Sequence, residues 1–431
     1  MSIKFKNAYI INKDFEILKS YDLIVEKNII KDITPTKDID DDKHERVIEC
    51  NHNFLIPGFK NAHSHNAMVF ARSLTDDVPL DEWLNKKIFP LEALLTEEDV
   101  YYFTILGIME NLSSGITACA DMYKHYYAMA DACLHTGYRV NIVDSLMKFD
   151  RKIAPEEYFN NLNNYKGDNG NLIKYTFGIH AEYTNDENTL KLISDMVHKY
   201  KTPFFSHNSE TRKEVEECKG RWGGLTPTEV QDRYGLYDFG GGGYHCIYFS
   251  EHDIEIFKEH KLYIVTNAAS NLKLASGIAP IKKYLDKGIK IAIGTDGPAS
   301  NNSIDMFREM FLISNLSKYV ENNPAALNTR EIVNMTTKHS AACIGEPDTD
   351  SLEIGKKADM VLIDINTPNM QPKNDFINNL VYACEKQNVK ITMVDGKILY
   401  EDGVYHIGED EHYIYKKCNE LLVNLINRDK R

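Results

Sequence analysis

Strand-length apolar runs alternate with longer amphipathic stretches through the middle of the chain. Residues 173–179, 203–206, 262–265 and 289–293 are such runs, each followed by polar positions. Between them, 187–199 carries Leu190, Ile193, Met196 and Val197 at helical spacing and predicts a helix with one buried face. Strand and helix alternating over residues 57–345 predict a parallel sheet, and the length suits a (β/α)8 TIM barrel. A doubly wound open sheet is the alternative. The two ends have another texture. Residues 8–11, 22–25 and 29–33 read as strands with a turn at Lys27-Asn28, and 358–363 and 389–394 read as strands before the hairpin signal Asp395-Gly396. They predict a small β-sandwich domain built from 1–56 plus 346–408, beside a barrel of 57–345. The charged tail 409–431 predicts a C-terminal helix over about 411–426. The run Gly240-Gly241-Gly242-Gly243 precedes a strand rather than following one, so it reads as a flexible loop and not as a phosphate cradle.

Composition narrows the function. The 431 residues are 43% hydrophobic and 26% charged, an ordinary globular mixture. A formal net charge of −14 argues against nucleic acid or an anionic membrane as partner and leaves room for a small molecule in one pocket. The eight cysteines form no C-x-x-C pair and are widely spread, which predicts reduced thiols rather than a disulfide scaffold. With no leader-like start and no apolar run of membrane length, a cytoplasmic protein is expected.

The chemistry starts at His63 and His65, one residue apart after the apolar run 54–56. On a strand, residues i and i+2 face the same way, so both imidazoles can grip one ion; on a helix they would diverge by about 200°. His180, His207, His245 and Asp296 each close a later strand candidate. Singly, a buried hydrogen-bonded histidine or an N-capping aspartate is the commoner case. Their shared position matters more, because the strand C-termini of a barrel converge on one mouth. His63, His65, His207 and Asp296 together give three imidazoles and a carboxylate, a set suited to Zn²⁺ or Fe²⁺. Such an ion lowers the pKa of a bound water from about 15.7 toward roughly 7. Glu210, three residues after His207, is placed to move protons there; the plainer reading is a surface glutamate at a helix start.

Several stretches, taken together, resemble the amidohydrolase superfamily, within its branch of adenosine-type aminohydrolases. They are Pro57-Gly58 through His65, Glu82-Trp83-Leu84 with Pro90-Leu91-Glu92, Gly115-Ile116-Thr117, His207-Asn208-Ser209-Glu210, Ser270-Asn271-Leu272-Lys273-Leu274 with Gly277-Ile278-Ala279-Pro280, and Gly294-Thr295-Asp296-Gly297 with Ser300-Asn301-Asn302. The resemblance spans nearly the whole chain. It implies a distorted (β/α)8 barrel and one divalent metal, zinc first and iron second, on His63, His65, His207 and Asp296. It implies Glu210 as proton shuttle, with His245 and Asp296 as the other catalytic groups. Trp83, Glu92 and His180 would contact substrate, Glu92 at the ribose hydroxyls. No lysine closes the fourth strand, where two-metal relatives carry a carbamylated one. The reaction implied is loss of the 6-amino group from methylthioadenosine, 5′-deoxyadenosine, adenosine or S-adenosylhomocysteine, giving an inosine-type product and ammonia. Members are often homo-oligomers. Asp144 stands where relatives acting on S-adenosylhomocysteine carry an arginine, with Arg151 nearby, and is expected to disfavour a substrate carboxylate. Glu182 replaces a proline, and Thr266-Asn267-Ala268 replaces a His-Asn-Pro pattern. The rival readings are a guanine- or aminotriazine-type deaminase, a cyclic-amide hydrolase, and a non-enzymatic scaffold on the same fold.

Overall fold

A computed structural model describes residues 2–37, 41–74, 76–148, 154–165, 167 and 171–430. The N-terminal stretch forms β1 (Ser2–Ile11), β2 (Ile17–Glu26), β3 (Ile29–Pro35), β4 (Arg46–Glu49) and β5 (Phe54–Pro57). Eight strands follow: β6 (Phe59–Ser64), β7 (Ile116–Tyr123), β8 (Arg139–Asp144), β9 (Ile173–Ala181), β10 (Phe204–Asn208), β11 (Gly241–His245), β12 (Tyr263–Thr266) and β13 (Lys290–Ile293). The C-terminal part adds β14 (Met360–Ile363), β15 (Val389–Val394), β16 (Lys397–Glu401) and β17 (Val404–Tyr405).

Strands β6 to β13 lie side by side in chain order, and every pairing is parallel. Helices such as Glu97–Ser113 and Glu187–Tyr200 cover the outside. Both faces are thus buried, which is why most of these strands read as unbroken apolar runs. The ring is nearly closed. β6 meets the segment after β13 through one bridge, with Asp296 N donating to His63 O at 3.0 Å. The Asn61 side chain seals the same seam, donating to Thr295 Oγ1 at 2.7 Å and accepting from Thr295 N at 2.9 Å.

Two local expectations are corrected. The run 54–56 does not lead straight into the histidine pair. Phe54–Pro57 belongs to the terminal sheet, and His63 ends a separate strand, Phe59–Ser64, whose six residues are all buried. Its buried lysine is satisfied internally: Lys60 Nζ donates to Gly58 O at 2.7 Å and to Thr349 O at 2.5 Å. The glycine run is not a loop, since Gly241–Gly243 are strand residues of β11. A Cβ on Gly241 would stand 1.9 Å from Phe204 O, and one on Gly242 2.2 Å from Tyr263 O. These glycines let β11 lie close between β10 and β12.

The terminal strands form a second sheet in the order β17-β16-β15-β14-β5-β1-β2-β3, with β4 also on β1. It is mostly antiparallel and curls back on itself. Ala358 N donates to Asn28 O at 2.8 Å, and Asn28 Nδ2 to Asp395 Oδ1 at 3.2 Å. The curl encloses its own apolar core, including Phe5, Ile10, Leu23, Leu55 and Met360. Arg139, fully buried at the start of β8, joins the two sheets by donating to Asp359 and Asp395, each at 3.0 Å. The helix Glu411–Asp429 packs on Glu97–Ser113, where Arg428 Nη2 donates to Asp99 Oδ2 at 2.5 Å. All eight cysteines are unpaired and buried. Among the described residues, no helix is long and apolar enough to cross a membrane.

Candidate metal centre and active site

The C-terminal ends of β6, β10 and β13 bring His63, His65, His207 and Asp296 together. One ligand atom from each lies within 4.8 Å of the others. His63 Nε2 and His65 Nε2 stand 3.4 and 3.1 Å from Asp296 Oδ1. His65 Nδ1 donates to Met122 O, and His207 Nδ1 to His180 O at 2.6 Å, so backbone carbonyls fix both rings. His63 stacks on Tyr244 with ring centroids 3.7 Å apart. Asp296 has φ +59°, a left-handed conformation unusual for a non-glycine residue, and it turns the carboxylate into the mouth.

The electrostatics suit a cation. Burial pushes His63 down to about 3 and His207 well below the usual histidine range, so both imidazoles are neutral donors. Burial also acts to raise Asp296, but its contacts with His63 and His65 outweigh it and hold the carboxylate well below the usual range. His65 is raised: burial opposes this, but the hydrogen bond to and charge of Asp296, the Met122 carbonyl and the charge of Asp121 together outweigh it. Both ring nitrogens of His63 lack a hydrogen-bond partner although the side chain is fully buried. Orphaned buried nitrogens beside a carboxylate and two further imidazoles fit a divalent metal ion.

Glu210 is not a surface residue of the following helix. Ser209, at φ +52°, turns the chain so that Glu210 lies buried between β10 and the helix Arg212–Arg221, whose N-cap is Thr211. The backbone there is clamped by Glu214, which accepts from Ser209 N at 3.0 Å and Glu210 N at 2.7 Å. Glu210 Oε2 stands 3.9 Å from His245 Nε2. His245 Nδ1 lies 2.7 Å from Asn271 Oδ1, which directs Nε2 toward the cavity. Asp296 Oδ2 accepts from Ser270 Oγ at 2.5 Å and from Ser300 Oγ at 2.6 Å, leaving Oδ1 to the histidines.

A cavity opens over this cluster. Trp83, Glu92 and His180 line it together with His65, His207, Glu210, His245 and Asp296. Trp83 and Glu92 come from the 80–92 helical segment over the mouth. His180 packs against His207 and Phe89, with ring centroids 4.7 and 5.8 Å away, and burial pushes it down to about 3, so it is neutral. Every site residue expected from the sequence therefore lies in one cavity or directly beneath it.

The expectation for Asp144 is corrected. Its carboxylate is fully buried and accepts from Tyr126 Oη at 2.6 Å and Tyr175 Oη at 2.5 Å. It does not line the cavity; its neighbour Ser145 does. Asp144 is therefore not positioned to touch a substrate in the cavity. Arg151 lies outside the described residues. Glu182 accepts from Trp222 Nε1 at 2.5 Å and from Arg221, tying β9 to the far end of the Arg212–Arg221 helix. Lys124, which the sequence reading missed, lines the cavity with Nζ 3.6 Å from Glu92 Oε2. Its position just past β7 was the available signal.

The sequence profile of the amidohydrolase family matches residues 54–399. The chain belongs to the amidohydrolase family. Full-length relatives agree with this. The 5-methylthioadenosine/S-adenosylhomocysteine deaminase of Dictyoglomus turgidum is 35% identical over 96% of this chain and 97% of its own. The 5′-deoxyadenosine deaminase of Methanobrevibacter smithii is 36% identical over 100% and 99%. Among solved structures, an adenosine deaminase from Xanthomonas campestris with bound zinc superposes with a TM-score of 0.90 at 27% identity, covering 99% of this chain and 98% of its own. His63, His65, His207 and Asp296, which could hold a metal ion, stand at or just past the C-terminal ends of barrel strands.

Proposed function

We propose that the protein is a metal-dependent hydrolytic deaminase that removes the 6-amino group of an adenine nucleoside. The substrates are methylthioadenosine, 5′-deoxyadenosine, adenosine or S-adenosylhomocysteine, and the products an inosine-type nucleoside and ammonia. The observation that carries the reading is the position of Glu210 and His245 in the same cavity as the His63, His65, His207 and Asp296 cluster. The names of the full-length relatives give the substrate class.

One divalent ion, zinc or else iron, held by those four side chains would activate a water for attack at C6 of the purine. The chain's own groups do the rest. Glu210 takes a proton from the attacking water and passes it to N1, which makes the ring a better electrophile. His245 Nε2 faces the reacting centre beside Glu210, and with Asp296 it orients the attacking water as a hydrogen-bond acceptor. The hydroxyl now on C6 gives its proton to the amino group; the C6 carbonyl forms as the C6–N bond breaks and ammonia leaves, so the net change is water added and ammonia lost. Glu92 addresses the ribose hydroxyls, with Lys124 beside it, while neutral His180 and Trp83 hold the base.

A panel of adenosines varied only at the 5′ position, with guanine and an aminotriazine alongside, tests this by ammonia release. Ammonia and an inosine-type product from the adenosines is the expected result. Turnover of guanine or the triazine with inert adenosines would replace it with the rival reading.

A further inference from the structure

The stretch after the seventh barrel strand, Ser270-Asn271-Leu272-Lys273-Leu274 to Gly277, has no role in the chemistry above. Its hydrogen bonds give it one. Three residues of this segment, a short helix (Ala268–Lys273) and the loop after it, each hold a different group of the site: Ser270 Oγ donates to Asp296 Oδ2 at 2.5 Å, Asn271 Oδ1 accepts from His245 Nδ1 at 2.7 Å, and Ser276 Oγ donates to Glu210 Oε1 at 2.7 Å. We propose that this segment is the alignment bracket of the site and that Ser276 is a positioning residue for Glu210. This inference rests on the reading that Glu210 moves the proton.

Ser276 is buried and does not line the cavity, so it reaches the substrate only through Glu210. The loop that carries it has little freedom. Ser276 N donates to Asn271 O at 2.9 Å, and Tyr248 Oη donates to Ser276 O at 2.6 Å. Ala275 is at φ +54° and Gly277 at φ +140°, and a Cβ on Gly277 would meet Tyr248 Oη at 2.7 Å. Side chains other than glycine are strained there, so the loop conformation is specified. On the other side, Glu214 clamps the Glu210 backbone. With its main chain and Oε1 both held, Glu210 has one oxygen left, Oε2, and that oxygen faces His245.

A hydroxyl suits this place for a chemical reason. A group that gains and loses a proton in each turnover needs a neighbour that tolerates both states. The serine hydroxyl donates to the carboxylate and, by rotating, accepts from the carboxylic acid. A backbone N–H could only donate. Without the hydroxyl, Oε1 would be a buried oxygen lacking this donor, and the carboxyl would swing between rotamers.

The test is a double-mutant cycle on the metal-loaded enzyme with Ser276→Ala, Ser276→Thr, Glu210→Gln and the Ser276→Ala/Glu210→Gln pair. Ser276→Ala is expected to lower kcat by about 10-fold or more, the size of a lost hydrogen bond to a charged group, with KM little changed and metal content intact. Ser276→Thr restores most of kcat. In the Glu210→Gln background, Ser276→Ala costs nothing further, because the bracket has nothing left to align. Equal losses for alanine and threonine, a rise in KM alone, or a full additional loss in the Glu210→Gln background would each overturn the proposal. If Ser276→Ala does not fold, Ser276→Cys enters the same cycle with the same criteria. Near-normal turnover by Glu210→Gln alone would instead sink the role of Glu210. An impaired Glu210→Gln beside an unaffected Ser276→Ala would sink only the bracket.

Discussion

Ser270 and Asp296 are joined by a 2.5 Å hydrogen bond between buried side chains, and Asp296 Oδ1 is thereby the oxygen that faces His63 and His65. Outer partners that orient a ligand matter nearly as much as the ligand. Ser270→Ala is therefore expected to weaken metal binding by about 10–100-fold while leaving the fold intact. Competition with a chromophoric chelator reads the affinity directly. Unchanged affinity would mean that Ser300, 2.6 Å from the same oxygen, suffices alone.

Glu92 is buried at the cavity wall with Lys124 as its cationic neighbour. A charged hydrogen bond to a ribose hydroxyl is worth about 1.5–3 kcal/mol. Glu92→Gln should lower kcat/KM for adenine nucleosides by roughly 10–100-fold, from that energy range. The free base adenine, which lacks the ribose, should lose much less. Equal losses on nucleoside and base would move Glu92 away from the sugar.

Gly242 has no room for a side chain, since its Cβ would sit 2.2 Å from the Tyr263 carbonyl oxygen. Gly242→Ala would force β11 and β12 apart just below His245. A destabilisation on the order of 2–4 kcal/mol is expected from such backbone overlap. Chemical denaturation measures it, and a stability within error of the parent would contradict the close approach of these strands.

Lys60 supplies a pH dependence. Burial pushes it down to about 8, from an ordinary value of 10.5, inside the base of the barrel. Below pH 8 the amine is charged in both folded and unfolded chains, and its burial penalty is constant. Between pH 8 and 10.5 the unfolded chain keeps a proton that the folded chain has lost, so Lys60 makes stability rise with pH across that window. Relative to Lys60→Met, the parent should gain up to roughly 3 kcal/mol there. Urea titrations of both proteins at pH 7, 9 and 10 decide it; a flat or falling difference would refute the buried cation.

Much of this molecule was legible in the sequence, for reasons that differ from part to part. Strands such as β9 and β13 declare themselves because both faces are buried and the apolar run is unbroken. The histidines and Asp296 were visible because barrel geometry gives strand ends a common destination. β6 is hard to read because its buried positions include the polar residues Lys60, Asn61 and His63, and the partners Thr349 and Thr295 that satisfy Lys60 and Asn61 lie far away in the chain. The glycines of β11 read as a loop in the sequence because close strand approach leaves no apolar signature. Asp144 sits at a strand end like His207 and His245, but its direction depends on Tyr126 and Tyr175, and no spacing rule reports that. Ser270 and Asn271 fall inside a motif and Ser276 falls between two, but a hydroxyl or amide 2.5–2.7 Å from Asp296, His245 or Glu210 is invisible before the fold brings them together.

The central claim is that a single cation on His63, His65, His207 and Asp296 enables hydrolysis of an adenine amino group. The direct measurement is ammonia release from 5′-deoxyadenosine by protein stripped with a chelator and titrated with zinc. Activity should vanish on stripping and return along a line that breaks at one zinc per chain, with His207→Ala showing no return. Undiminished turnover by the stripped chain, or a break at two equivalents, would contradict the account.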